Sequence, residues 1–170
     1  MKTLKIFISL TLAAAFIISC GTKEKKPPFD LSHINNVEDI CVPYSEYGGV
    51  KVIPVKLNGE PMNMIYDTGC SGLHLSLLEL QTLYKNGKFS SDDIIGSSYS
   101  QIASGEIVEN GTIIIKEVEI GGEEGIVLHN VEATVALNQE APILLGNGVL
   151  DKLASIKVDN VNKTINFTRY

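Results

Sequence analysis

The chain lacks the excess of positive charge that a nucleic-acid or membrane-surface protein needs. Its 170 residues carry 14 Lys and Arg against 20 Asp and Glu, a net charge of -6. Nucleic-acid binders ordinarily show a basic patch or stripe, so no nucleic-acid partner is expected. Histidine is equally sparse. His33, His74 and His129 are widely separated, and none makes a recognised ligand spacing. Neither a metal nor any other cofactor is expected. Cysteine is limited to Cys20, Cys41 and Cys70. Internal repeats are absent too, which bears on assembly below. The apolar run at residues 6–18 is also too short to span a bilayer comfortably, since roughly 20 residues are needed.

That run, preceded by Lys2 and Lys5, reads as a secretory signal over residues 1–19, outside the fold. It ends Ser19-Cys20-Gly21, which resembles the processing site of bacterial lipoproteins, with Ile17 where leucine is more usual. The resemblance implies cleavage before Cys20, lipid on its sulfur and new amino group, and an anchor in the lipid bilayer. The expected location is the bacterial cell envelope, facing the periplasm or the exterior. Several acyl chains hold far better than one, each buried methylene contributing about 0.8 kcal/mol. Residues 1–19 contain two lysines and no acid, so the net charge falls from -6 to -8 once they are removed. Residues 20–40, with the Lys23, Lys25 and Lys26 group, read as a solvated tether. In an exported protein Cys41 and Cys70 either bridge or stay free, Cys70 then serving as a small hydrophobe.

Residues 41–170 suffice for one modest core and not for two domains. Their pattern is mainly β. Residues 50–57 alternate apolar with other side chains except at Ile53, and Asn58-Gly59 suits a tight hairpin turn. Residues 61–66 read as the returning strand, which delivers Asp67 at its end. Leucines between Leu73 and Tyr84 predict one short helix, capped by Ser76 with Glu79 three residues later. A polar connection follows, then β-like stretches over 94–108, 111–121 and 125–137. An apolar run, Pro142 to Leu145, stops at Gly146, a helical turn is expected within 149–153, and residues 156–167 close with a hairpin. Short strands, glycine corners and one small helix predict an all-β, barrel-like domain.

The motif that carries chemistry is Ile65-Tyr66-Asp67-Thr68-Gly69-Cys70-Ser71. It resembles the catalytic segment of retropepsin-like aspartic peptidases: two apolar residues, Asp-Thr/Ser-Gly, a small residue, then commonly Ser. Cys70 stands where alanine is most usual. A second likeness is Leu144-Leu145-Gly146, similar to the hydrophobic-hydrophobic-Gly element that threads behind the catalytic loop. Between them, Ala103-Ser104-Gly105-Glu106-Ile107 resembles the tip of the mobile hairpin that covers substrate. The resemblance runs from about Gly49 to Phe167 and implies a closed, barrel-like acid-protease fold.

It also implies chemistry by two carboxylates that share one proton, one acting as base and the other as acid. The sequence holds a single Asp-Thr-Gly; Asp92, Asp93 and Asp159 lack the following Thr/Ser-Gly. The expected partner is therefore a second copy of the chain, giving a homodimeric endopeptidase that acts on peptides or proteins. Asp67, Thr68 and Gly69 form the catalytic segment, Thr68 bonding across the two-fold axis and Gly69 making room for the paired loops. Cys70 and Ser71 lie behind them, Ser71 as a hydrogen-bond partner for Asp67. No histidine is placed to activate Cys70 as a nucleophile. Two non-catalytic readings stand beside this one: an envelope lipoprotein that keeps the fold for binding or structure, and a monomer that adds a peptide to a sheet edge.

Overall fold

The hairpin opened by residues 50–57 is the start of a sheet that closes on itself. The computed structural model describes residues 39–122 and 125–170. The expected signal segment, Cys20 and nearly all of the tether lie outside the described residues. Strands β1 (Asp39–Pro43), β2 (Ser45–Tyr47), β3 (Val50–Leu57), β4 (Glu60–Tyr66) and β5 (Leu73–Ser76) come first. Helix α1 (Leu77–Lys85) and a 3-10 turn at Ser91–Asp93 lead to β6 (Ile94–Gln101), β7 (Ile107–Ile120) and β8 (Ile126–Ala136). The chain ends with β9 (Leu144–Leu145), the single turn α2 (Asn147–Leu150), β10 (Ser155–Asp159) and β11 (Thr164–Thr168).

Eight strands pair in the order β2-β3-β4-β9-β5-β8-β7-β6, and β3 pairs also with β7. The last pairing, Val55 to Ile120 through Leu57 to Val118, closes six of the strands into a ring. Among the described strands β6 pairs with β7 alone and stays outside the ring, so β6 and β7 project as a hairpin. A second sheet, β1-β11-β10, unites the first described strand with the last two. The all-β, barrel-like expectation is met.

Side-chain phase explains the ring. Ile53, Val55 and Leu57 on β3 point inward with Met62 and Met64 of β4, Leu73 and Leu75, Ile113 and Ile115, Val131, Ala133 and Val135. Each buried Leu, Ile or Val contributes roughly 1.5–3 kcal/mol, so this core dominates the stability. The break in alternation at Ile53 is a change of faces: Val50 and Val52 belong to the opposite surface, which faces the site. Asn58 and Gly59 turn the hairpin with positive φ, 50° and 79°.

Three segments differ from the sequence reading. The stretches expected over 94–108 and 111–121 are divided instead at 102–106, and β7 runs unbroken from Ile107 to Ile120. Residues 73–76, expected as the irregular start of a helix, form β5, wedged between β8 and β9. The helix begins at the expected cap. Ser76 Oγ accepts from Leu78 N–H (3.0 Å), and Ser76 N–H donates to Glu79 Oε2 (3.2 Å). β1, whose sequence gives little strand signal, is a strand because Val42 is buried and the whole segment pairs with β11. Cys41 and Cys70 are free thiols, Cys41 exposed and Cys70 half-buried.

Candidate active site

Asp67 leaves the end of β4 and enters a loop that a segment distant in sequence holds from behind. Its own N–H donates to Leu145 O (3.1 Å), and Cys70 N–H donates back to Asp67 O (3.2 Å), bending the chain. Gly146 N–H then donates to Gly72 O (3.0 Å), Asn147 N–H to Cys70 O (2.9 Å), and Gly148 N–H to Ser71 O (2.8 Å). The Asn147 side chain adds Nδ2–H to Thr68 O (2.9 Å). Successive carbonyls of the loop thus meet successive donors of residues 146–148. At about 1 kcal/mol net for each bond, the brace is worth several kcal/mol if its members act independently.

This contact is possible only with glycine at 146. A Cβ there would lie 2.4 Å from both Cys70 O and Gly72 O, inside any tolerable contact. Gly69 answers to a second restriction. Its N–H donates to Asp67 Oδ1 at 2.8 Å, and a Cβ on it would sit 3.1 Å from that same oxygen. The crowding relieved at Gly69 therefore begins within one chain, at the carboxylate itself.

Asp67 is half-buried, whereas Thr68, Gly69 and Ser71 are exposed. The hydrogen bond expected from Ser71 to Asp67 is supplied by Gly69 N–H instead. Ser71 contributes its carbonyl to the brace. Cys70 Sγ–H donates to Gly72 O (3.2 Å). Burial pushes the Cys70 thiol above its ordinary value, and the Asp67 charge adds to the rise. A thiol kept protonated is a poor nucleophile, in accord with a packing role.

An open cleft of about 620 Å³ lies beside Asp67 and Thr68. Val50, Ile65, Tyr66, Pro142 and Leu144 give it apolar walls; Lys51 and Asn160 line it with polar groups. Lys51 Nζ stands 5.4 Å from the Tyr44 ring centre, and the Tyr44 hydroxyl donates to Asn160 Oδ1 (3.1 Å), so both polar groups are tied to one buried ring. Asp67 is the sole carboxylate among the described residues that line the cleft. One carboxylate can take a proton from water, but protonating a leaving nitrogen in the same reaction calls for a second acid.

The structure brings Asp67, Thr68, Gly69, Cys70 and Ser71 together with Leu144, Leu145 and Gly146. Ala103, Ser104, Gly105 and Glu106 are found elsewhere, at the exposed tip of the β6–β7 hairpin, and Ile107 begins β7. Ile102 N–H donates to Glu106 O (3.0 Å) and Gly105 N–H to Ile102 O (2.8 Å). Sequence reasoning missed Asn147 and Gly148, although the Gly-Asn-Gly that ends the apolar run was a signal of close backbone approach. It also missed Val50, Lys51 and Pro142 on the cleft wall, which only the tertiary fold places beside Asp67.

Residues 53–152 match the family model described as "gag-polyprotein putative aspartyl protease". Among solved structures, the chain is similar to a retropepsin-like aspartic protease from Rickettsia conorii. The TM-score is 0.55 at 18% identity, over 78% of this chain and 90% of that one. At that identity the likeness speaks for the fold alone. No curated protein matches the chain.

Proposed function

The chain belongs to the retropepsin-like aspartic protease family, and from that premise we propose that it acts as a homodimeric endopeptidase with one Asp67 from each copy. The observation that carries this reading is the solitary Asp67 carboxylate in a cleft that needs two. In the dimer the two carboxylates share a proton, because like charges at close range disfavour double ionisation. The ionised Asp67 takes a proton from water as the oxygen attacks the peptide carbonyl, and the protonated one supplies the proton that the leaving nitrogen requires. Their titration belongs to the pair.

Thr68 supports the assembly. It is exposed, its carbonyl is already used by Asn147, and its hydroxyl has no partner within the described residues. That hydroxyl is free to bond with its counterpart across a two-fold axis. The hairpin ending at Ala103 to Ile107 supplies a cover for the bound peptide.

The remaining proposals concern residues outside the described part. Residues 1–19 act as an export signal, lipid on Cys20 anchors the protein in the bacterial envelope, and the tether expected over residues 20–40 ends before Asp39, where β1 already belongs to the peptidase domain. Cys20→Ala should abolish incorporation of a labelled fatty acid and leave an unprocessed precursor; unchanged labelling would sink this part.

The test of the main proposal measures initial cleavage of a mixed peptide library together with sedimentation, over one protein concentration range. Activity should rise more steeply than linearly near the dimer dissociation constant. Excess Asp67→Asn chain should suppress the wild type by forming dimers with one functional carboxylate. Full turnover by a species that stays monomeric would overturn the shared-dyad mechanism. Peptide binding without turnover at any concentration would favour the non-catalytic reading.

A further inference from the structure

Residues directly opposite each other on paired strands project from the same face of a sheet. Val52 pairs with Ile65, Ile65 with Leu144, Leu144 with His74, His74 with Thr134, and Thr134 with Thr112. These six side chains therefore form one row across β3, β4, β9, β5, β8 and β7. Ile65 and Leu144 line the cleft beside Asp67. One strand further on, the row changes from apolar to polar and runs toward the projecting β6–β7 hairpin. There Thr112 Oγ1 donates to Ser98 Oγ (3.1 Å).

His74 marks the change. Its Nδ1 lies 2.7 Å from Thr134 Oγ1, and that hydroxyl is 3.4 Å from Leu73 O, so the ring is held in one orientation. Nε2 has no partner within the described residues, yet no buried side-chain nitrogen or oxygen there is left unsatisfied. Nε2 is thus open to solvent on a half-buried ring. A strand position between two leucines, Leu73 and Leu75, gives no packing reason for an imidazole with one nitrogen left open.

We propose that His74 and Thr134 form a polar subsite, one strand beyond Leu144, that selects a peptide side chain bearing an amide, asparagine or glutamine. The proposal rests on the peptidase reading above. An apolar side chain seated here would strip Nε2 of water and return nothing. A carboxylate would find no cation in the row, and burial lowers the basicity of His74, keeping the ring neutral at neutral pH. A primary amide offers both a donor and an acceptor, so it satisfies Nε2 in either tautomer. The subsite gives the cleft a second chemistry beside its apolar wall, and thereby a preference for sequence as well as for size.

The test uses the full-length protein in detergent and a peptide library randomised at every position. Cleavage is read with the wild type, and binding without turnover with Asp67→Asn. Each is repeated with His74→Val, and with Thr134→Val as a second variant that removes the partner of the ring. One library position should favour Asn and Gln over Val and Leu by about tenfold or more. His74→Val should reverse that preference at this position alone, and Thr134→Val should weaken it. An unchanged profile in whichever variant folds would overturn the subsite, as would failure of the Asp67→Asn protein to bind any peptide. Selective binding that His74→Val redirects, with no cleavage by the wild type, would uphold the subsite and sink the catalytic reading.

Discussion

The loop at Asp67 and the hairpin tip at Ser104 both join two strands, and they are held in opposite ways. Residues 67–72 are bonded to residues 145–148, more than 70 positions away in the chain, through backbone groups and the Asn147 amide. Among the described residues the hairpin tip bonds only to itself: Gln101 Nε2–H to Gly105 O (3.2 Å), Ile102 to Glu106, Gly105 to Ile102. Long-range bonds inside a closed ring hold a carboxylate in place, because moving it disturbs two segments at once. Local bonds on a projecting hairpin let the tip move as a unit without unfolding the ring. A peptidase needs both properties, a fixed acid and a cover that opens.

The sharpest way to break the comparison is at the acid itself. Asp67→Asn should lower turnover by about a thousandfold or more while leaving urea unfolding close to that of the wild type. A large loss of stability would mean that the carboxylate is structural. Next in size is Gly146→Ala, which drives a Cβ into two carbonyls and should cost about 3 kcal/mol, together with most of the activity. If unfolding is unaffected, the brace is looser than its geometry indicates. Asn147→Ala removes one bond to Thr68 O and should cost about 1 kcal/mol; activity should fall further than that stability loss alone would account for.

A smaller effect concerns the root of the hairpin. Asp93 is buried just before β6. Lys116 Nζ, at 2.9 Å from Oδ1, and the Ser90 N–H, at 2.9 Å from Oδ2, hold its carboxyl below the usual carboxylate range. A folded value below the unfolded one, about 4, means that the stabilisation is complete above that pH and lost as pH falls through the folded value. Asp93→Asn should therefore lower the Tm at pH 7, and the gap to wild type should close in strong acid. A constant gap from pH 7 to pH 2 would show that the ion pair contributes nothing. Smallest of all, hydrogen exchange should find the Gly105 amide nearly unprotected and those of Gly146 and Gly148 protected. Equal protection would erase the distinction between the two regions.

Much of this was legible locally. Asn58-Gly59, the Ser76–Glu79 cap and the closing hairpin are short-range devices, each decided by residues within a few positions of one another. The Asp-Thr-Gly and Leu-Leu-Gly elements were readable for the same reason, as compact motifs. β5 was not legible, because Leu73 and Leu75 run into a leucine-rich helix and only pairing with β8 and β9 makes them a strand. β1 was obscured because it is only five residues long with two inward apolar side chains, Ile40 and Val42, and it acquires its role from β11. His74 looked incidental, since no sequence pattern reveals that it faces Thr134 across one strand boundary and Leu144 across the other.

By itself, the sequence determined the strand-rich character, the turns, the helix cap and the identity of the acid. These follow from side-chain phase and backbone preferences, which act over a few residues. Only the tertiary structure decided that β3 meets β7 to close the ring, that residues 146–148 brace the loop at Asp67, and that an apolar wall gives way to a polar one at His74. Each of those depends on register between segments far apart in the chain, and register is set by the packing of the whole core.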